Sequence, residues 1–169
     1  MAAPTLLHTL FRYQAWANDE LLEKIEGLDP QRQSEERHMA IRLANHGYVV
    51  AQIFAAHLTG AEHGFRADNT EETPQPKDLR AALAASDRWF LDYLETVTPE
   101  QLSERLPFVF TDGDKGCMSR EEMLIHVATH GVYHRGEVGR ILAQLSIRPP
   151  WDTLAVHLHR AEPSRRVAQ

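Results

Sequence analysis

The sequence predicts an all-α fold, an up-down four-helix bundle followed by a short fifth helix. Three observations support this prediction. The chain has 169 residues, which suits one compact domain. Apolar residues recur at helical spacing along four long stretches, and short segments that contain proline or glycine separate these stretches. Long helices joined by short connections are typical of bundles. We therefore expect residues 1–169 to form a single helical-bundle domain.

The first three helices are predicted from their apolar spacing and from the residues that end them. Gly27 closes the first helix, Gly60 is a C-terminal signal for the second, and Pro99 stops the third. The polar segment 61–76 contains prolines and is predicted to be a loop between the second and third helices. The predicted bounds of the three helices are residues 5–28, 34–59 and 77–97.

A β-prone segment and a turn precede the fourth long helix. Residues 106–110 are β-prone and are followed by a turn-like segment at 112–116, which predicts a small extended loop or hairpin rather than a sheet. Ser119 and Glu122 have the spacing of a capping box, which opens a helix. The apolar spacing then predicts that this helix continues to Leu145.

The C-terminal segment is predicted to hold one more short helix. Asp152 follows two prolines and can cap the first turn of a helix that runs to Arg160. Residues 162–169 are expected to be a frayed tail.

Composition and charge exclude several classes of function. The chain has 18 Lys and Arg residues and 24 Asp and Glu residues, which gives a net charge of −6. The sequence shows no basic stripe that would bind nucleic acid. No apolar run approaches the length of a membrane helix. The single cysteine, Cys117, cannot form an intrachain disulfide, so a reducing compartment is expected. We therefore expect a cytoplasmic protein without a nucleic-acid or membrane partner.

Histidines on the fourth long helix suggest a metal site. His126, His130 and His134 follow one another at four-residue intervals, and two imidazoles one turn apart can bind one ion. All three cannot do so, because the outer two are about 12 Å apart along the helix axis. On a helical wheel His130 and His134 lie at or within the apolar stripe, whereas His126 lies at its rim.

The second helix carries two further histidines on its apolar stripe, which runs from Met39 to Leu58. His46 and His57 are about 16 Å apart along the axis, so only one could join a given ion. Periodicity does not choose between them. The competing interpretation is that these imidazoles are hydrogen-bonded core residues, although burying several of them without a ligand would cost desolvation energy.

Four segments carry a resemblance to a known family. The segments are Tyr13–Asn18, Asn45-His46, His130–Glu137 and Pro149–Asp152. In this order they resemble the first-helix signature, the second-helix metal position, the closing motif and the entry to the last helix of DinB-like (YfiT-type) metal-dependent four-helix-bundle proteins. The resemblance covers nearly the whole chain.

The resemblance implies that His46, His130 and His134 are the ligands of a divalent metal ion, with zinc or nickel as the expected metals. It also implies that His57 and His126 are not ligands. The known activities of the family imply a small-molecule substrate and a low-molecular-weight thiol whose sulfur the metal activates. A homodimer is expected by the same resemblance.

Two residues depart from the family pattern. Tyr133 stands where the family often has the first histidine of a pair, which leaves the ligand count intact because the second member is the ligand. Glu137 stands where glutamine is usual. Its carboxylate is a candidate fourth ligand or general base, but we favour an ion pair with a neighbouring arginine. Arg135 and Arg140 could bind an anionic cofactor, and a solvated helix face is an equally good interpretation for both.

Three neutral imidazoles leave coordination positions of a divalent ion open. Such a site can lower the pKa of a bound thiol or water and deliver a nucleophile at neutral pH. The leading hypothesis is therefore a metal-dependent thiol S-transferase or related enzyme. The alternatives are a non-catalytic metal-binding stress-response protein and a metal-dependent hydrolase.

Overall fold

The computed structural model describes residues 3–167 and confirms the all-α helical bundle. Four long helices form the bundle and lie close to the predicted bounds: α1 (Ala3–Glu26), α2 (Ser34–Thr59), α3 (Pro76–Thr96) and α5 (Arg120–Gln144). The smaller elements are α4 (Pro99–Leu102), β1 (Arg105–Val109), β2 (Lys115–Ser119), α6 (Leu154–Ala161) and a 3-10 turn (Pro163–Arg165). Within the described residues, no helix is long and apolar enough to cross a membrane.

Several predicted end signals act as expected. Ser119 Oγ accepts a hydrogen bond from the backbone of Glu122, whose carboxylate accepts one from the backbone of Ser119, so the capping box at the start of α5 is confirmed. Gly60 ends α2 in the left-handed region, with φ of 70°, where glycine is favoured. Strands β1 and β2 form the predicted antiparallel hairpin.

Other local predictions are wrong or incomplete. Thr153, not Asp152, caps α6: its hydroxyl accepts from the backbone of Val156. The carboxylate of Asp152 instead contacts the bundle. The one-turn helix α4 was not predicted, because four residues are too few to show a periodicity. Part of the tail expected to be frayed forms the turn Pro163–Arg165, and residues 168–169 lie outside the described residues.

Helix pairing places the middle of α2 against the middle of α5. Helix α1 packs mainly on α3, and α2 packs mainly on α5. Contacts between α1 and α5 and between α2 and α3 complete the bundle. The histidines of α2 and α5 therefore face each other across one helix pair.

Two apolar clusters fill the two ends of the bundle. The hairpin-side cluster includes Phe11, Phe54, Phe90, Phe108, Met123 and Leu124. The far cluster includes Leu22, Ile25, Ile41, Leu79, Val138 and Leu142. Between them along each long helix lies a belt of buried polar side chains, which we call the polar belt: Gln14, Asn18, Asn45, Ser86, Asp87 and Arg135.

Candidate metal centre

The structure brings together the three histidines that the family resemblance singled out. Nε2 of His130 lies 3.1 Å from Nε2 of His46 and 3.1 Å from Nε2 of His134. One nitrogen from each ring lies within 4.8 Å of the others, and within the described part of the chain no carboxylate or thiol joins this group. We call these three residues the histidine triad.

Hydrogen bonds at the other ring nitrogens set the tautomers of two triad members. Nδ1 of His46 lies 2.7 Å from the main-chain oxygen of Asp68, and Nδ1 of His134 lies 2.6 Å from Oε2 of Glu137. A carbonyl or carboxylate oxygen can only accept, so each Nδ1 must carry the proton. In their neutral forms both rings therefore present an Nε2 lone pair to the centre of the triad.

His130 is neutral at pH 7. Burial lowers its pKa to about 3, and the neighbouring imidazoles of His134, His46 and His126 act in the same direction. The ring of His130 can donate at most one proton toward the two facing lone pairs. At least one pair of Nε2 atoms therefore meets without a hydrogen bond, an arrangement that a cation would stabilise.

The distances from Nε2 of His130 to the other two nitrogens fit ligands of a single divalent ion. A metal–nitrogen distance of about 2.0–2.1 Å separates two ligands by about 2.9 Å at a right angle and by about 3.4 Å at the tetrahedral angle. The observed 3.1 Å lies between these limits. The triad could therefore hold a metal ion, and imidazole ligands suit zinc, nickel, iron and copper alike.

The triad lies at the surface of the bundle. The side chains of His46 and His134 are 19% and 16% exposed to solvent, so small molecules can approach them. With three protein ligands in reach, an ion in the triad would keep open positions on that side.

A buried asparagine fixes the loop that orients His46. Asn45 is 2% exposed, and its side-chain amide donates to Asn69 at 2.5 Å and to the hydroxyl of Thr70 at 2.6 Å. The Asn69 amide donates back to the main-chain oxygen of Arg42. These bonds hold the loop against α2, where the carbonyl of Asp68 meets His46.

Glu137 has a role that the sequence analysis did not favour. The expected ion pair with an arginine is wrong, because the carboxylate accepts its bond from His134. The Glu137 carboxylate is also not part of the group of potential ligand atoms, because it contacts Nδ1 of His134, whereas Nε2 of that ring points to the other two histidines. It orients the imidazole and raises its basicity as a ligand. The three-residue spacing between the two side chains is the signal that could have revealed this contact.

Arg135 is buried, so the solvated-face interpretation is wrong for this residue. Its Nε donates to Asp152 at 2.7 Å and its Nη1 donates to Asn18 at 3.1 Å. Asn18 in turn donates to Asp87 at 2.9 Å. The Tyr13 hydroxyl donates to the other carboxylate oxygen of Asp152. This network ties α5 to α1, to α3 and to the segment before α6.

A small cavity is lined by members of the polar belt, by His134 and by apolar side chains of the neighbouring turns. It has a volume of about 30 Å³ and is lined by Gln14, Asp87, Gly131 and Arg135 among others. Two buried atoms, Oε1 of Gln14 and Nη2 of Arg135, have no hydrogen-bond partner among the described residues. A cavity of this size and polarity has room for a water molecule.

His57 and His126, which the resemblance implies are not ligands, lie outside the triad. The ring of His126 is half-buried and packs on Phe54, with 4.6 Å between centroids, and on His130, with 5.3 Å. His57 packs edge-on against Phe54 and lies beside His63. Burial lowers the pKa of both His126 and His57, so both are neutral aromatic packing groups.

The residues at the remaining candidate positions are exposed. Tyr133 is 66% exposed, and its ring meets His134 at a centroid distance of 5.0 Å. Arg140 is exposed and makes no ion pair within residues 3–167, so the solvated-face interpretation remains open for it.

Comparison with known proteins agrees with the motifs. The model of the DinB family matches residues 1–165. A relative from Bacillus subtilis (strain 168), Protein DinB, is 25% identical over 150 residues, which cover 80% of this chain and 83% of the relative.

Proposed function

The chain belongs to the DinB family, and we propose that it is a divalent-metal-dependent enzyme, a thiol S-transferase whose ion is held by His46, His130 and His134. The observation that carries this proposal is the convergence of three imidazoles without a fourth protein ligand among the described residues. Structural zinc sites are instead closed by four protein ligands. Zinc and nickel are the metals we propose.

Each residue around the triad has a part in this proposal. His46 and His134 present Nε2 because Asp68 and Glu137 hold their Nδ1 protons. Burial keeps His130 neutral and therefore able to act as a ligand at pH 7. A bound divalent ion would supply Lewis acidity, which would lower the pKa of a thiol and favour the thiolate as nucleophile, the leaving group of the electrophile departing with the electron pair of the bond that breaks.

The test uses purified protein loaded with cobalt, whose spectrum reports bound sulfur. We expect about one ion per chain and a sulfur-to-metal charge-transfer band when the right thiol is added. That thiol should then be consumed together with a generic electrophile such as 1-chloro-2,4-dinitrobenzene. If no thiol from a broad panel changes the spectrum while the site is full, the transferase proposal is wrong.

The same experiment separates the two alternatives. An open site also admits water, so hydrolysis of activated esters without any response to thiols would favour a metal-dependent hydrolase. Metal binding without either activity would favour a non-catalytic metal-binding protein of the stress response.

We also propose a cytoplasmic homodimer. Ile125 and Val132 are exposed apolar residues seven positions apart on α5, beside the exposed Tyr133, and such a face suits a second copy of the chain. Light scattering should then give twice the chain mass of 19.2 kDa. A mass of one chain at every concentration would contradict the dimer.

A further inference from the structure

A cleft beside the triad could hold the body of a substrate. It has a volume of about 550 Å³ and lies between α2, the loop after α2 and α5, with His46 in its wall. Small-molecule sites usually have volumes of about 300–1,000 Å³. The cleft is therefore large enough for the part of a ligand that does not touch the metal.

The floor of this cleft is apolar. Met39, Leu43 and Ile141 line it from two facing helices. Met39 begins the apolar stripe of α2, yet it is 48% exposed rather than buried. Leu43 and Ile141 also pack on the far cluster of the core, so their positions are fixed. Exposed apolar surface next to an open metal site favours an apolar ligand chain.

A cationic group lies at a defined distance from the triad. Arg42 precedes His46 by one turn of α2, which is about 6 Å along the axis. Its Nη1 donates to the main-chain oxygen of Thr70 at 2.7 Å, which holds the guanidinium in place. Within the described residues Arg42 makes no ion pair.

The other polar groups of the cleft do not neutralise Arg42. The carboxylate of Asp68 lies 3.7 Å from Nδ1 of His46 and makes no ion pair with Arg42. The exposed His38 lies a further turn away from the triad, on the same side as Arg42. The cleft therefore holds a cation that makes no ion pair among the described residues and that lies one helical turn from His46, beside the apolar floor.

We propose that this cleft selects a substrate with a short apolar chain that ends in a carboxylate. The head group of the substrate lies at the triad, its chain lies on Met39, Leu43 and Ile141, and its carboxylate binds Arg42. This inference rests on the proposed metal-dependent function and names the substrate class of the same site.

Three hydroxamates test the inference on cobalt-loaded protein, because a hydroxamate head group binds metal ions without needing any turnover. Acetohydroxamate has no chain, hexanohydroxamate has an apolar chain, and adipic acid monohydroxamate adds the terminal carboxylate. Dissociation constants come from the visible spectrum of cobalt. We expect affinity to rise in that order, with at least about a tenfold gain from the carboxylate.

Three exposed or half-exposed positions supply variants that should fold normally. Arg42→Gln should remove the gain from the carboxylate, whereas Arg140→Gln, on α5 outside the cleft, should preserve it. Met39→Gln should reduce the advantage of hexanohydroxamate over acetohydroxamate. Circular dichroism checks that each variant retains its helices.

The outcomes separate this inference from the proposed function. Equal affinity for the three probes, or a carboxylate gain that survives Arg42→Gln, overturns the inference even if thiols react. Graded affinity that depends on Arg42, together with no reaction of any thiol, overturns the transferase proposal and leaves the inference standing. A protein that binds no cobalt overturns both.

Discussion

Glu137 accepts a hydrogen bond from Nδ1 of His134 at 2.6 Å, from one turn further along the same helix. The bond fixes both the tautomer and the orientation of the imidazole, so that Nε2 points to the other two histidines. Carboxylate–histidine pairs of this kind tune metal affinity from outside the ligand set. The residue therefore belongs to the metal centre although it is not one of the triad's facing atoms.

Glu137→Ala should weaken metal binding by about 10–100-fold, because His134 loses the group that holds its proton on Nδ1. Glu137→Gln should recover part of this loss, since its side-chain oxygen still accepts a hydrogen bond. Competition with a chromophoric chelator measures both affinities. Equal affinities for the wild type and Glu137→Ala would show that the contact does not act on the metal.

His134→Ala should lower occupancy from about one ion per chain to near zero, because two imidazoles hold an ion far less well than three. His126→Ala is the matched control on the same helix, and His57→Ala is the control on α2. Both should keep full occupancy by elemental analysis. Loss of the metal in His57→Ala but not in His46→Ala would show that the assignment on α2 is wrong.

Asn45→Ala should destabilise the metal-free protein by about 1–3 kcal/mol, because the loop groups that it binds lose a buried partner. Urea unfolding gives this value, with Gln144→Ala at the exposed end of α5 as a control. The variant should also bind metal more weakly, since the Asp68 carbonyl loses its support. Unchanged stability would indicate that the loop is held by other contacts.

Alkaline pH should remove the contribution of Tyr13. Burial, followed by the hydrogen bond to Asp152, raises the pKa of Tyr13 from 10.0 to about 12. A raised folded-state pKa stabilises the fold fully below pH 10, and this contribution falls as pH rises toward 12. The stability difference between wild type and Tyr13→Phe should therefore shrink over that interval in urea titrations. A difference that stays constant from pH 9 to 12 would contradict the shift.

Two glycines of α5 should respond differently to substitution by alanine. A Cβ at Gly136 would meet nothing within 4 Å, so Gly136→Ala should stabilise the helix by about 0.5–1 kcal/mol. A Cβ at Gly131 would lie 3.0 Å from Nη1 of Arg135 and 3.1 Å from Oε1 of Gln14. Gly131→Ala should therefore be less stable than Gly136→Ala, as thermal unfolding can show. Equal stability of the two variants would mean that the side chains of Arg135 and Gln14 can move away from the added Cβ at no cost in free energy.

Features set by local spacing could be predicted from the sequence. The four long helices, the hairpin and the cap at Ser119 depend on neighbours a few positions apart. The pair His130 and His134 also follows from one helical turn. The choice between His46 and His57 could not be made this way, because both lie on the stripe of α2. The family resemblance favours His46, and the physical reason for that choice is the packing of α2 on α5, a register on which periodicity contains no information.

Contacts between distant segments explain the remaining errors. Aspartate is a common helix-capping residue, but the carboxylate of Asp152 accepts hydrogen bonds from Arg135 and Tyr13 instead. Thr153 therefore caps α6. An arginine such as Arg135 is usually expected at the surface. Its burial depends on a hydrogen bond to Asn18, which lies 117 positions earlier in the sequence. Such pairings depend on which helices become neighbours.

The polar belt divides the apolar interior into two separately packed ends, so the middle turns of the helices have the least hydrophobic support. An ion in the triad would bridge α2 and α5 at that level. Removing it should increase amide hydrogen exchange in the central turns of these two helices, while the protection of the apolar ends changes little. Metal loading would then set how often the middle of the bundle opens.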